Sequence, residues 1–208
     1  MQIVAIAIPK NAREEQLLLR QNKLRAEVFS DRLGWEVDVR NGIEVDKFDA
    51  LGPTYILAVR DNDHVVGCAR LLPATGPTMV QDIFSSLLPD GKLRTHAGMI
   101  ESSRFCVNTH CEEGRGRSSI HEITLAMFAG IIEWSITNGY SEIVTVTDLR
   151  FERILSRVGW PLQRLASPQK IGVTTAVAGT LLADQAAFEL LRPERYRSLI
   201  TPPFSQAA

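Results

Sequence analysis

Apolar positions recur along this chain in two alternating rhythms, one strand-like and one helical. Val4 to Ile8 predicts a first strand. Asn11 then offers an N-cap with Glu14 three residues on, and Leu17, Leu18, Leu24 and Val28 follow at helical spacing. From Ser30 to Pro53 the period is lost and charge gathers: Asp31, Arg32, Glu36, Asp38, Arg40, Glu44, Asp46 and Asp49. A loop region of that length (30–53) inside a domain is usually functional or disordered, and Trp35 and Phe48 argue against plain disorder. Tyr55 to Val59 and Val65 to Leu72 predict two strands of a hairpin, joined by Arg60-Asp61-Asn62-Asp63-His64. After the break at Thr75-Gly76-Pro77, Val80 to Leu88 predicts a short amphipathic helix.

A strand from Glu101 to Val107 comes next. Ser119 with Glu122 forms a capping box for a helix from Ile120 to Asn138, stopped by Gly139. Ile143 to Thr147 is nearly all β-branched, the composition of a strand buried on both faces. Leu149 to Val158 predicts another helix, ended by Gly159 with Pro161 beyond it. Val173 to Val177 predicts a late strand, Ala183 to Leu191 a last helix, and 202–208 a loose tail. Strands alternating with helices after an opening hairpin predict an α/β (α+β) class, a mixed sheet with helices on both faces. With no repeat, low-complexity block or linker, 1–208 reads as a single domain.

Composition narrows the function classes. The 208 residues are 45% hydrophobic and 23% charged, and the net charge is −1, so nothing steers the whole molecule toward nucleic acid or a membrane surface. Cys68, Cys106 and Cys111 are odd in number with no paired spacing, which fits a reducing cytoplasm. No apolar run approaches a membrane span. The stretch Met1 to Pro9 has no basic leader and reads as a strand rather than a signal peptide, so a cytoplasmic protein is expected.

The chemistry concentrates in Ile100-Glu101-Ser102-Ser103-Arg104-Phe105-Cys106-Val107. A carboxylate, two hydroxyls and a guanidinium in one short strand are costly to bury unless each is hydrogen-bonded or used by a ligand or a reaction. Other signals weigh less. Glu113-Gly114-Arg115-Gly116-Arg117 before a capped helix has the look of a phosphate-cradling loop, but one Gly-x-Gly is weak. Cys106, His110 and Cys111 supply only three potential ligands, so no metal site is expected. His64, His96, His110 and His121 receive no role.

Taken in order, Arg25…Phe29…Trp35, then Asp46 and Asp49 in Gly42-Ile43-Glu44-Val45-Asp46-Lys47-Phe48-Asp49, then Arg70-Leu71-Leu72-Pro73, then Glu101-Ser102-Ser103-Arg104-Phe105, resemble the acyl-homoserine lactone synthases of the LuxI type. The resemblance is strongest from Leu24 to Trp160 and fainter toward Leu191. The stretch Asp148-Leu149-Arg150-Phe151-Glu152-Arg153-Ile154-Leu155 with Gly159-Trp160-Pro161 is most similar to the branch linked to plasmid conjugal transfer, which makes 3-oxo-octanoyl homoserine lactone. The resemblance implies a fold like the GCN5-type N-acetyltransferases, with two splayed neighbouring strands that admit a pantetheine arm. It implies two substrates: S-adenosylmethionine, and a fatty acyl group on acyl carrier protein or, in some members, coenzyme A. No cofactor is implied. The α-amine attacks the thioester, then the methionyl carboxylate displaces the sulfonium, closing the lactone and releasing methylthioadenosine.

Residue types suit those demands. Trp35 and Phe29 offer aromatic faces to a sulfonium or adenine. Arg25, Arg70 or Arg104 offers a guanidinium fork to the carboxylate. Asp46 and Asp49 can hold the amine, although a structural salt bridge from Arg70 to either is the alternative. Glu101 is the candidate base for the ammonium, directly or through a water. Ser103, or backbone N–H groups at the end of its strand, can donate to the oxyanion. Thr145 matches a threonine that goes with 3-oxo acyl chains, with Thr147 as the other possible counterpart, and Phe105 is assigned to the acyl chain. Both threonines can instead be filler bonding a backbone carbonyl. Arg150, Arg153 and Arg157 follow i, i+3, i+7 on one helix face, a docking ridge for an acidic carrier protein or else a solvated face partly paired with Glu152.

Overall fold

The computed structural model describes residues 1–108 and 122–200. The predicted Ser119 cap, the Glu113–Arg117 loop, His110, Cys111, His121 and the 202–208 tail lie outside the described residues. Among the described residues, eight strands form one mixed sheet in the order β1-β4-β5-β6-β7-β10-β8, with β9 also pairing β10. These are β1 (Gln2–Ile6), β4 (Thr54–Arg60), β5 (His64–Pro73), β6 (Met99–Val107), β7 (Glu142–Asp148), β8 (Gln163–Arg164), β9 (Gln169–Ile171) and β10 (Thr174–Leu182). A separate two-stranded hairpin is made by β2 (Val39–Arg40) and β3 (Ile43–Glu44). The helices are α1 (Ala12–Arg25), α2 (Met79–Asp82), α3 (Glu122–Thr137), α4 (Leu149–Arg157) and α5 (Gln185–Leu191). The mixed α/β class expected from the alternation is the one found. Among the described residues no helix is long and apolar enough to cross a membrane.

The described residues fall into two compact units interleaved along the chain: 1–70, 104–108, 122–131 and 192–200 in one, and 71–103 with 132–191 in the other. In the first, β1 pairs antiparallel with β4 from Gln2↔Val59 to Ile6↔Tyr55. Val4, Ile6, Leu17, Leu24, Val28, Phe29, Tyr55, Leu57, Val59, Val65, Cys68 and Cys106 make its apolar cluster. Asn11 caps α1, its side-chain oxygen accepting from Glu14 N–H at 3.0 Å, while Glu14 reaches back to Lys10 N–H at 2.8 Å. Past Arg25 the helix widens into a π-helix over Ala26–Arg32, so Val28 C=O accepts from Leu33 N–H five residues on. The aperiodic stretch after it is ordered by two local devices. Asn41 and Gly42, both at positive φ, make the tight turn of the β2–β3 hairpin. Asp46 then caps a 3-10 helix over Lys47–Leu51.

In the second unit, β7 pairs parallel with β6 and antiparallel with β10. The parallel ladder ends at Glu101↔Val144, whereas the ladder to β10 continues to Asp148↔Ala176. From Thr145 onward β7 therefore lacks that parallel partner, and only Ile143 and Val144 are fully buried, fewer than a doubly covered strand predicts. The helix predicted from Val80 to Leu88 is a single turn, α2, followed by a 3-10 turn over Ser85–Leu87. Gln81 explains the early stop, since its amide bonds Gly91 C=O and Leu93 N–H and ties this turn to the next loop. Gly139 and Gly159, both at φ 81, end the chain's passage out of α3 and α4 as predicted.

Candidate active site

In the first unit, seven side chains singled out from the sequence meet. Arg25 closes the buried row of α1 and bonds Glu44 through Nε. Its Nη1 and Nη2 grip Asp49 Oδ1 and Oδ2 at 2.8 and 2.9 Å, a bidentate fork. Arg70, from the interior of β5, donates to Asp46 Oδ1 at 2.6 Å and to Asp49 Oδ1 at 2.8 Å. Arg104 donates from Nε to Glu44 Oε1 at 3.1 Å, and its Nη2 forms an ion pair with Asp46 Oδ2 at 2.7 Å. Three guanidiniums and three carboxylates thus alternate in a charge-neutral network, the arrangement that makes burial of each ion tolerable. The bridge from Arg70 to Asp46 and Asp49 weighed above is present.

Local chemistry sets this geometry. Asp46 and Asp49 form a reciprocal cap: Asp46 Oδ1 accepts from Phe48 N–H at 2.8 Å, and Asp49 Oδ2 accepts from Asp46 N–H at 2.7 Å. Their three-residue spacing serves the helix turn and the ion network together. Arg104 sits at φ 53 inside β6, a conformation uncommon for a side-chain-bearing residue and one that breaks the strand's alternation. Its guanidinium carbon lies 5.6 Å from the Phe29 ring centroid, and Phe29 stacks on Trp35 at 5.3 Å and 9°. The π-helix carries Phe29 into the core, while Trp35 is 41% exposed. Among the charged groups, Asp46 and Arg104 face solvent most, with side chains 17% and 12% exposed, and Arg25, Arg70 and Glu44 are fully covered.

The electrostatics follow. Burial disfavours the charge on Asp49, but the hydrogen bonds and charge of Arg25, the Tyr55 hydrogen bond and nearby Arg70 outweigh it and hold this carboxyl well below the usual range. Burial likewise opposes the charges on Arg25 and Arg70, and their carboxylate partners overcome it, fixing both as cations. Glu44 and Tyr55 are members of the network that the sequence reading did not single out. The Asn41-Gly42 turn was the available signal for Glu44, because it pairs Val39 with Glu44 and turns that carboxylate inward. Tyr55 carried no signal beyond its place at the start of a strand.

In the second unit, Glu101 is fully buried on β6 and its Oε1 accepts from Val80 N–H at 2.7 Å. With Thr78, whose hydroxyl accepts from Gln81 N–H at 3.1 Å, it caps the α2 turn. Ser103 is half-buried on the same strand. Thr145 Oγ1 donates to Ser102 C=O at 2.8 Å just past the end of the β6–β7 ladder, so the backbone-carbonyl role weighed for this hydroxyl is realised. Thr147 is paired in register with Val177 of β10. Arg150, Arg153 and Arg157 are exposed on α4. Glu152 is engaged elsewhere: Arg164 of β8 holds it at 2.5 and 2.7 Å and lowers its pKa. Phe105, in the first unit, packs against Phe128 of α3 with centroids 5.3 Å apart.

The chain matches the autoinducer synthase family over residues 10–191. It is 65% identical over 208 residues to a probable acyl-homoserine-lactone synthase of Sinorhizobium fredii (strain NBRC 101917 / NGR234), covering 100% of each chain. The crystal structure of the AHL synthase LasI superposes with a TM-score of 0.76 at 32% identity, over 91% of this chain and 92% of that one. Two more distant structures bear on the fold alone. One is the CoA-dependent acyl-homoserine lactone synthase BjaI, solved with SAM and isopentyl-CoA (TM-score 0.83, 22% identity, 97% and 94% covered). The other is an acyl-CoA N-acyltransferase from Pseudomonas aeruginosa (TM-score 0.55, 15% identity, 88% and 98% covered). The fold is that of the N-acyltransferases. The chain belongs to the autoinducer synthase family and is an acyltransferase, an acyl-homoserine-lactone synthase.

Proposed function

We propose that the enzyme joins a 3-oxo, medium-chain acyl group, delivered on acyl carrier protein, to the α-amine of S-adenosylmethionine and then closes the lactone. The observation that carries the reading is the neutral guanidinium–carboxylate network bordered by the Phe29–Trp35 stack. An aromatic face beside a carboxylate suits a sulfonium, and Asp46 and Arg104, the more accessible ions of the set, suit the ammonium and carboxylate of the same substrate. Arg25, Arg70 and Asp49 support them from behind.

Glu101 takes the proton that the ammonium must lose before it attacks the thioester carbonyl. The amine nitrogen then bonds the carbonyl carbon, the carrier thiolate leaves, and Ser103 or nearby backbone N–H groups donate to the oxyanion. In the second step the carboxylate oxygen bonds the methylene carbon attached to sulfur, the carbon–sulfur bond breaks, and methylthioadenosine departs. Both steps run on the two substrates without a cofactor. These substrates are cytoplasmic metabolites, and so the site of action is the cytoplasm.

The exposed arginines of α4 favour a carrier protein, because Arg164 takes both oxygens of Glu152 and the face keeps a net positive charge. A coenzyme A thioester is the second donor class, supported by the CoA-dependent neighbour of the same fold. Incubation with S-adenosylmethionine and 3-oxo-octanoyl thioesters of each kind, read by mass spectrometry, tests the whole reading. Methylthioadenosine and an acylated lactone formed together support it, and acylation of another amine without lactone removes it.

A further inference from the structure

We propose that Tyr55 is a positioning residue for S-adenosylmethionine, acting through Asp49; this rests on the substrate assignment above. Tyr55, the second residue of β4, lies opposite Ile6, with its ring in the apolar cluster of the first unit. Its hydroxyl donates to Asp49 Oδ1 at 2.6 Å. That oxygen also accepts from Arg25 Nη1 and Arg70 Nη1, both at 2.8 Å. The other oxygen accepts from Arg25 Nη2 at 2.9 Å and Asp46 N–H at 2.7 Å.

A carboxylate offers about four lone-pair sites, so five donors leave Asp49 no capacity for a substrate ammonium. Its role is that of a hub. Two like-charged guanidiniums, one from α1 and one from β5, converge on one of its oxygens and repel each other there. Tyr55 is the neutral donor at that oxygen, held by the sheet and by a short stiff side chain. It fixes Oδ1 where both cations can reach it. Asp46 follows, because Asp49 anchors its backbone N–H and shares Arg70 with its side chain. Burial and the adjoining carboxylate keep the phenol protonated, so it acts as a donor and not as an acid. The hydroxyl thus sets the geometry of the ions that meet the substrate without touching it.

The test is steady-state kinetics of the full chain carrying Tyr55→Phe, which keeps the ring in the core, beside the wild type. S-adenosylmethionine and the acyl thioester are varied in turn. The KM for S-adenosylmethionine should rise about fivefold to tenfold, tenfold being about 1.4 kcal/mol, while the KM for the acyl donor stays within about twofold. Replacing Tyr55 by 4-aminophenylalanine, which returns a neutral N–H donor, should restore the wild-type value, and it serves also if the phenylalanine variant does not fold. An unchanged KM for S-adenosylmethionine, an equal rise in both KM values, or no rescue overturns the proposal. A wild type that makes no lactone removes the substrate assignment instead.

Discussion

Thr145 Oγ1 donates its single proton to the carbonyl of Ser102 at 2.8 Å, just beyond the point where the β6–β7 ladder stops at Glu101↔Val144. The hydroxyl bridges two backbones that no longer bond each other there. A 3-oxo acyl group needs a donor, so this hydroxyl must give up Ser102 to serve it, and only the difference between the two bonds reaches the substrate. Thr145→Val should therefore lower kcat/KM for 3-oxo donors about threefold to tenfold relative to unsubstituted donors of the same length. Matched pairs of thioesters measure it, and an unaltered ratio ends the assignment.

Glu101→Gln keeps an amide oxygen to accept from Val80 N–H, so the α2 turn and the fold should persist. It removes the basic site. Turnover should fall by about 10²–10⁴, the usual contribution of a positioned base, with S-adenosylmethionine affinity nearly intact. Single-turnover rates beside calorimetric binding separate the two effects, and wild-type turnover would take Glu101 out of the base role.

Asp49→Asn breaks the fork to Arg25 and leaves buried positive charge uncompensated. A loss of about 3–5 kcal/mol is expected, read from urea denaturation midpoints.

The same residue predicts a pH dependence. Its native carboxyl titrates well below the unfolded value of about 3.9, so the unfolded chain takes up the proton first as pH falls. Asp49 therefore stabilises fully above about pH 4–5, and its contribution is lost as the pH falls from there toward its native pKa. Denaturation midpoints across that acid range should decline less steeply in Asp49→Asn than in the wild type. Parallel slopes would place the acid sensitivity elsewhere.

Replacing Arg150, Arg153 and Arg157 together by alanine should raise the KM for the carrier-bound donor severalfold at low salt and much less at high salt, since exposed charges are screened within a Debye length of about 8–10 Å. The KM for the matching coenzyme A thioester should change less. No change with either donor would make the α4 face a solvated one.

What the sequence determined by itself is local, because caps and turns depend on residues within a few positions of one another. Asn11, Gly139 and Gly159 mark helix ends where the structure has them. The alternation of strands and helices sufficed for the class of fold. The ordered set from Arg25 to Arg104 named most of the ion network through its resemblance to a known family, since Asp46 and Asp49 by themselves lie in a charge-rich stretch that reads as solvated. Tertiary structure decided which charge meets which. Arg25, Arg70 and Arg104 come from a helix and two strands, and their pairing depends on how those elements pack. The same holds for Glu44 and Tyr55, ordinary hairpin and strand residues until folding brings them to Arg25 and Asp49. It holds too for Thr145, whose partner exists only because two neighbouring strands part beside it.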